Sequence, residues 1–363
     1  MESLYYTNAI NLFYKFGPQR MAQIRKRIPE PQHIWEADKQ TLIQTGVPEK
    51  VIDEFIAFRP TINIKKEWEK LDNLGVRMVT HKDDEYPELL KELYSPPIAL
   101  YVRGTIPNES FPKLAIVGSR KVSTYGKQTT PDIAAQLAQT GIIIVSGLAL
   151  GIDGLAHQAA VENNTPTIAV LGCSIDDASI YPRANYQLAH NIIKTDGAII
   201  SEYPLGTAPL KQHFPARNRI ISGMSLGVLV IEATQQSGSL LTSRHALDQN
   251  REVFAIPGSI YNESSIGTNN LIKMGAHLVN NAQDIIDVLD LKTSPLFADD
   301  GPVTPDTYEE SLLLPLLSKE PIHVDILVST STLDMAAVSA TLTLMEMKGK
   351  VRNLGGMMYV RSK

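Results

Sequence analysis

The sequence has almost none of the features that mark secreted, membrane-spanning or metal-binding proteins. Its 363 residues include one cysteine, Cys173, which excludes a disulfide framework and cannot form a thiolate metal site alone. No apolar run reaches the ~18 residues that a membrane span requires. The N-terminal run MESLYYTNAINLFYKF lacks the charged and uninterrupted apolar regions of a signal peptide. We therefore expect a cytoplasmic protein with no metal site and no membrane association.

Two common nucleotide-binding motifs are also missing. The pattern GxxxxGK[ST] is absent, so a P-loop NTPase is unsupported. The first buried β-run ends in Gly118-Ser119-Arg120 instead of GxGxxG, which argues against a dinucleotide site. We expect no bound cofactor.

Basic residues are outnumbered, yet they are unevenly distributed. The formal net charge is −5, and residues 114–290 hold 11 Lys and Arg against 14 Asp and Glu, a net of −3. A focused basic cleft on an acidic body attracts polyanions locally. The alternative is that these are scattered surface charges. Six of the 11 bases lie in or beside the loops proposed below as ligand-binding: Arg120, Lys121, Arg183, Lys211, Arg217 and Arg219.

The chain divides by pattern into four parts. Residues 1–75 show helical spacing with two Gly-containing breaks, which indicates a small SAM-like or helix-hairpin-helix-like domain. Residues 76–290 comprise a proline-rich connector, with a short strand near Val76–Val79, and then a core. Residues 291–308 are rich in Pro, Asp and Thr and are typical of a linker. Residues 309–363 form the fourth part.

The core alternates between short apolar β-runs and helical stretches. Continuous apolar runs are typical of strands buried on both faces, and this alternation predicts a doubly wound parallel sheet of the α/β class. The predicted strands are Leu114–Val117, Ile142–Val145, Thr167–Leu171, Ala198–Ser201, Leu226–Ile231 and Val253–Ile256. The predicted helices are 125–140, 152–163, 184–195, 216–223, 239–249 and 268–274.

The fourth part has the element order of a winged-helix domain. Three helices, near 309–318, 322–329 and 334–348, precede a hairpin that turns at Gly355-Gly356. The third helix, Asp334–Met347, contains no Lys or Arg, whereas a major-groove reader normally needs basic and amide side chains. This composition favours a protein-docking or regulatory wing over a DNA-reading one.

Five loops, four of which contain glycine, follow the predicted strands. Ligands bind outside the carboxyl ends of the strands in open α/β sheets, and glycine lets backbone N–H groups approach an anion closely. A repeated phosphate is the expected ligand. The loops are Gly118–Arg120, Ser146–Asp153, Leu171–Cys173, Phe214–Arg219 and Gln235–Leu240.

Side chains near these loops allow more than one interpretation. Lys211 and Phe214, with Arg217, combine cations and an aromatic ring, a mixture suited to single-stranded nucleic acid. In the alternative, Phe214 belongs to the core and Arg217 and Arg219 are structural partners of Glu202 or Glu232. Asp153 and His157 share a helix face, and we expect a helix cap and an internal Asp–His contact in preference to an acid–base pair. Cys173 is expected to be a small core residue.

The run from Ile116 to Asn280 closely resembles the DNA-processing protein A (DprA/Smf) family. The matching segments are the GSR turn, SGLALGIDGLAHQAA, TIAVLGC, YPRAN, ISEYPLGTAPLKQHFPARNRIISG, VIEATQQSGSLLTSRHAL, REVFAIPG and GTNNLI. The resemblance implies an extended Rossmann-like core that binds single-stranded DNA without catalysis. It also implies a homodimer that protects incoming strands and loads the recombinase RecA during natural transformation.

The family pattern points first to Arg120, Lys211 and Phe214 as DNA contacts, with Ser119, Arg183 and Arg217 as further carry-overs. No catalytic residue is implied. One competing hypothesis is a nucleotide-processing enzyme, with Glu232 as the acid and Ser237-Gly238-Ser239 as a phosphate loop. The other is a transcription factor that reads DNA through the winged helix.

Overall fold

The computed structural model describes residues 2–291, 304–318 and 320–361, although the side chain of Glu2 is left out. The chain falls into two compact units, Met1–Leu296 and Phe297–Lys363. Most of the predicted linker at 291–308 lies outside the described residues.

The N-terminal region is a cluster of short helices around an aromatic core. Phe13, Phe16 and Phe55 pack with ring centroids 4.6–5.3 Å apart. The two Gly-containing breaks fall between helices, as the sequence predicts. The Tyr101 hydroxyl, from the neighbouring sheet, donates to Asn8 Oδ1 and accepts from Asn11 Nδ2, so the cluster packs within the first unit. The helices are α1 Glu2–Asn11, α2 Pro18–Arg25, α3 Pro31–Glu36, α4 Lys39–Ile43, α5 Glu49–Phe58 and α6 Ile64–Asn73.

The first unit is built on a nine-stranded sheet with the order β1-β2-β6-β5-β4-β3-β7-β8-β9. All six predicted core strands are present and pair in parallel. The chain winds outward from β3 in both directions, which confirms the doubly wound prediction and creates a switch point beside β3. The strands are β1 Arg77–Thr80, β2 Ala99–Gly104, β3 Lys113–Val117, β4 Ile143–Ser146, β5 Thr167–Val170, β6 Ala198–Ser201, β7 Gly227–Val230, β8 Glu252–Ala255 and β9 His277–Leu278.

The connector contributes more regular structure than its prolines suggest. It contains β1, the short helix α7 Glu88–Lys91, and β2, which pairs antiparallel with β6. The sequence reading missed β2. Pro96 and Pro97 of the connector precede β2, so every residue of this strand has a backbone N–H group that can pair.

Helices cover both faces of the sheet, which explains the continuous apolar runs. In β3, Leu114 and Ile116 pack against one helical layer, whereas Ala115 and Val117 pack against the other. The six predicted core helices are confirmed, and α14 was not predicted. The core helices are α8 Thr124–Gln139, α9 Ile152–Glu162, α10 Tyr186–Lys194, α11 His213–Gly223, α12 Ser239–Asp248, α13 Ile266–Lys273 and α14 Ala282–Val288.

The second unit has the predicted winged-helix order. Its three-stranded sheet has the order β10-β12-β11, and Leu313, Leu327 and Leu342 lie in its apolar core. No single described helix has the length and apolar composition to cross a membrane, and only α16 and α17 together, bent by 119°, meet those criteria. The elements are α15 Tyr308–Leu313, β10 Ile322–His323, α16 Val324–Thr330, α17 Met335–Met347, β11 Val351–Gly355 and β12 Met358–Arg361.

Candidate nucleic-acid interface

A cleft of about 710 Å³ opens at the carboxyl ends of the strands, beside the switch point. We call it the carboxyl-edge cleft. It brings together the loops after β3 and β4 and the N-terminal ends of α11 and α12. Helix N-termini carry partial positive charge and free N–H groups, which suit an anionic ligand. The lining includes Gly118, Ser119, Arg120, Ala149, Asp153, Tyr181, Lys211, Phe214, Arg217, Asn218, Ser237, Gly238 and Ser239.

Gly151 allows the loops after β3 and β4 to pack against each other. Its φ is +83°, and an added Cβ would lie 2.3 Å from the Ser119 carbonyl oxygen and 2.8 Å from the Arg120 Cα. Only glycine fits this conformation and this approach. Ile152 N donates to the same Ser119 carbonyl at 3.2 Å, which joins the start of α9 to the Arg120 loop. The glycine pattern in the sequence therefore shapes the wall that carries Arg120.

Arg120, Lys211 and Phe214 lie together in the cleft. The Arg120 guanidinium lies 5.5 Å from the centroid of the half-buried Phe214 ring, in a cation–π contact. The Tyr181 ring lies 5.7 Å from Phe214 on another side. Arg120 and Lys211 are exposed, and neither forms an ion pair with a described residue. The cleft thus presents two cations not neutralised by carboxylates, next to two aromatic rings.

Arg217 also reaches the cleft, but its main contacts are structural. The side chain is 4% exposed, and Nη1 donates to the carbonyl oxygens of Gly147, at 2.8 Å, and of Val170. Burial lowers the pKa of Arg217 to about 10, with attraction to Asp153 opposing the shift, so the guanidinium is charged at neutral pH. Arg217 therefore connects α11 to the loop after β4, through Gly147, and to the end of β5, through Val170. The structural alternative, in which Arg217 pairs with Glu202 or Glu232, is therefore wrong for this residue.

The remaining predicted basic contacts are directed elsewhere. Arg183 lies outside the cleft lining, where it donates to the Asp177 carbonyl at 2.7 Å and stacks on Tyr186 with 4.0 Å to the ring centroid. Arg219 pairs with the Glu202 carboxylate, as the structural alternative supposed. The concentration of charge in the cleft is therefore smaller than the sequence suggested.

Ser119 lines the cleft, but its hydroxyl is engaged within its own loop. It donates to the Lys121 carbonyl at 2.7 Å and accepts from the Lys121 N–H at 3.1 Å. In this arrangement the hydroxyl proton does not point to a ligand.

Asp153, His157 and Cys173 have structural surroundings. Asp153 accepts from Gly147 N at 3.1 Å, and burial raises the pKa of its carboxyl group. His157 contacts Thr167 Oγ1 at 2.8 Å, so the expected Asp–His contact is replaced by a contact with β5. Burial lowers the pKa of His157 to about 3 and raises the pKa of Cys173 to about 11. At neutral pH the imidazole is uncharged and Cys173 is a thiol.

Glu232 is poorly placed to act as a catalytic acid. It is buried and accepts hydrogen bonds from the Ser123 N–H, the Ser123 hydroxyl and the Ser264 hydroxyl. Ser237 and Ser239, which do line the cleft, hydrogen-bond to each other at 2.7 Å. Within the described ranges, no group of three or more acidic, His or Cys side chains could hold a metal ion. Glu232, the acid of the nucleotide-processing hypothesis, is therefore already engaged by hydrogen bonds from serine residues.

Two cleft residues were not singled out from the sequence. The Tyr181 ring is inclined by 42° to the Phe214 ring, and Asn218 donates to the Gly238 carbonyl at 3.4 Å, which links α11 to the start of α12. An aromatic residue in a loop that follows a buried strand was the available signal for Tyr181. Asn218 carried no signal, because its contact depends on how the two helices pack.

Comparison with known proteins identifies both units. The family model for DNA recombination-mediator protein A matches residues 77–290, and the DprA winged helix domain model matches residues 298–357. The chain is 37% identical to Protein Smf of Escherichia coli over 348 residues, covering 94% of this chain and 91% of that protein. It is 44% identical to DNA processing protein DprA of Streptococcus pneumoniae over 224 residues, covering 62% and 76%.

Two solved structures of DNA processing protein A superpose on this chain. An X-ray structure of Streptococcus pneumoniae DNA processing protein A superposes with a TM-score of 0.66 at 36% identity, covering 77% of this chain and 97% of that one. A second structure describes the single-stranded DNA binding mode of DNA processing protein A from Helicobacter pylori. It superposes with a TM-score of 0.51 at 34% identity, covering 59% and 95%.

Proposed function

This chain belongs to the DNA recombination-mediator protein A (DprA/Smf) family, and from that membership we propose that it binds single-stranded DNA in the carboxyl-edge cleft. The observation that carries the proposal is the grouping of Arg120, Lys211 and Phe214 in the lining of one cleft. Cations that track phosphates and a ring that stacks on bases are the two elements of sequence-tolerant single-strand recognition.

Each cleft residue has a distinct part in this proposal. Arg120 and Lys211 contact phosphates, and Phe214, flanked by Tyr181, stacks on a base. Arg217 holds the cleft floor, and its charge adds to the local positive potential. Ser119 requires a hydroxyl rotation to donate to phosphate, and Arg183 contacts DNA only where a strand extends past Tyr186.

We further propose that the protein acts as a mediator and not as an enzyme. The Glu232 carboxylate accepts hydrogen bonds from serine donors, and Asp153, although it lines the cleft, is buried and accepts a hydrogen bond from Gly147 N. Neither side chain is placed to activate water at a phosphate bound beside Arg120. The proposed role is to protect incoming single strands and to load RecA recombinase during natural transformation, in the cytoplasm.

A homodimer is part of the same proposal. The loop after β8 and the end of α13, which precedes the edge strand β9, carry exposed apolar side chains, among them Tyr261, 93% exposed, and Met274, 78% exposed. Exposed apolar groups beside an edge strand are typical of an association surface. Light scattering on the wild type and on Met274→Glu tests this assignment, since a monomeric variant is expected.

The test of DNA binding compares single-stranded and blunt duplex DNA of equal length across a salt series. We expect tighter binding to the single strand, a decline in affinity with salt, and little base preference. A turnover assay with mononucleotides and DNA runs in parallel. Equal or tighter duplex binding contradicts the proposal, and hydrolysis lost with Glu232→Gln favours the enzyme hypothesis.

A further inference from the structure

A second depression lies on the other side of the first turn of α11. We call this cavity of about 340 Å³ the α11 pocket. It is formed by the end of α1 and the turn to α2, by the loop after β6, and by the outer face of α11. Its lining includes Asn11, Tyr14, Phe16, Glu202, Tyr203 and His213. A volume of this order is in the range of small-molecule binding sites.

The α11 pocket and the carboxyl-edge cleft share one wall, the turn at Lys211 and Gln212 with the first residues of α11. Lys211 and Phe214 line the cleft, whereas Gln212 and His213 line the pocket. β6 runs parallel to β5, so the loop that follows β6 lies at the same carboxyl edge as the cleft loops. The two depressions are therefore consecutive along one edge of the sheet.

The walls of the α11 pocket are aromatic. The Tyr203 and His213 rings are stacked, with centroids 4.2 Å apart and planes inclined by 21°. The Tyr14 ring, 81% exposed, contributes to the lining from the helical region, with the Lys15 ammonium 5.6 Å from its centroid. An exposed aromatic side chain and a stacked aromatic pair in the same pocket lining are suited to hold a planar base.

Charge in the α11 pocket does not oppose a nucleic acid. Glu202 is the acidic side chain in the lining, and it is paired with Arg219 in the same lining. Lys211, on the shared turn, is positioned to neutralise a phosphate that crosses from one depression to the other.

We propose that single-stranded DNA leaving the carboxyl-edge cleft crosses the first turn of α11 and places a base in the α11 pocket, against Tyr14 and Tyr203. This inference rests on the proposed function, and it gives the N-terminal helices a direct part in DNA binding. It extends the bound length beyond the nucleotides that the cleft alone holds.

The test uses the full chain and two lengths of oligothymidylate, about 5 and about 15 nucleotides, which bracket the usual span of single-strand sites. Tyr14→Ala is expected to weaken binding of the longer oligonucleotide about 5-fold or more, because one stacked base is lost. The shorter one should bind within about 2-fold of wild type. Tyr14→Phe, which keeps the ring, should restore affinity for the longer one. Tyr308→Ala, at a tyrosine that is 70% exposed in the second unit, is the matched control.

A photocrosslink supplies a second readout. Oligonucleotides with 5-iododeoxyuridine at successive positions should crosslink to Tyr14 or Tyr203 only when they are long enough to pass α11. Equal affinity of wild type and Tyr14→Ala for the longer oligonucleotide, without a crosslink to either tyrosine, overturns the inference while binding in the cleft stands. Failure of the wild type to bind either oligonucleotide overturns the proposed function, and this inference with it.

Discussion

Replacing Arg217 and Lys211 in turn by methionine separates a structural cation from a binding one. Both belong to the segment that forms the start of α11, and both line the carboxyl-edge cleft. Methionine keeps an unbranched apolar stem and removes only the charge and its donors. The two variants therefore compare cations in different surroundings. The Arg217 guanidinium is buried and hydrogen-bonded, whereas the Lys211 ammonium is exposed.

The structure sets the size of each effect. Arg217→Met removes donors to two carbonyl oxygens in a buried position and removes the positive charge that most strongly attracts the buried Asp153 carboxylate. Each unsatisfied buried group costs about 1–3 kcal/mol, so we expect a loss of about 2–4 kcal/mol in the free energy of unfolding. Lys211 is exposed and unpaired among described residues, so Lys211→Met should change stability by less than about 0.5 kcal/mol.

The assay is a thermal melt combined with single-stranded DNA binding at a temperature far below the transition. Arg217→Met should lower the melting temperature by roughly 4–12 °C, at about 2–3 °C per kcal/mol for a unit of this size. Lys211→Met should melt like wild type, bind more weakly, and show a smaller salt slope by roughly one phosphate contact. An Arg217→Met variant that melts like wild type but loses binding refutes the structural assignment and makes Arg217 a direct DNA ligand.

Three further predictions concern the cleft and the second unit. Gly151→Ala should destabilise the protein by about 1–3 kcal/mol and weaken DNA binding, because φ is +83° and the added Cβ would meet the Ser119 carbonyl oxygen. Gly238→Ala, whose Cβ meets nothing within 4 Å, is the matched control. Equal melting temperatures of the two variants would contradict the prediction. Phe214→Ala should weaken binding by about 1–3 kcal/mol through lost stacking, whereas a sharp fall in melting temperature with intact binding would make the ring a core residue. In the second unit, hydrogen bonds from Lys348 and Lys350 lower the pKa of Asp306 to about 2. Although burial opposes it, hydrogen bonds from Asp306 N, Lys350 and Lys348 also lower the pKa of Glu310. The stabilisation is therefore complete above the ordinary pKa values of 3.8 and 4.5 and is lost as the pH falls toward about 2. Hydrogen exchange in α15 and α17, corrected for the intrinsic pH dependence, should increase over that range and less so in Glu310→Gln, and protection that stays constant down to pH 2 would contradict the assignment.

The sequence by itself determined the core of the fold. Strands buried on both faces must be apolar throughout, so β3 to β8 were visible as short continuous runs. Glycine at the strand ends marked the cleft, because positions such as Gly151 tolerate no side chain. The order of three helices and a hairpin also identified the winged-helix unit. These features are local, and a local pattern is sufficient to encode them.

Only the tertiary structure decided which basic side chains line the carboxyl-edge cleft. Arg217 and Arg219 are two residues apart on one helix. Arg217 lies at the floor of the cleft, whereas Arg219 pairs with Glu202. Arg183 lies two residues after Tyr181, which lines the cleft, yet its guanidinium stacks on Tyr186 outside the lining. β2 and the α11 pocket were also hidden from the sequence reading, since both depend on contacts between segments about a hundred residues apart or more. A side chain's direction depends on the partners that the fold brings to it, and spacing along the chain does not contain that information.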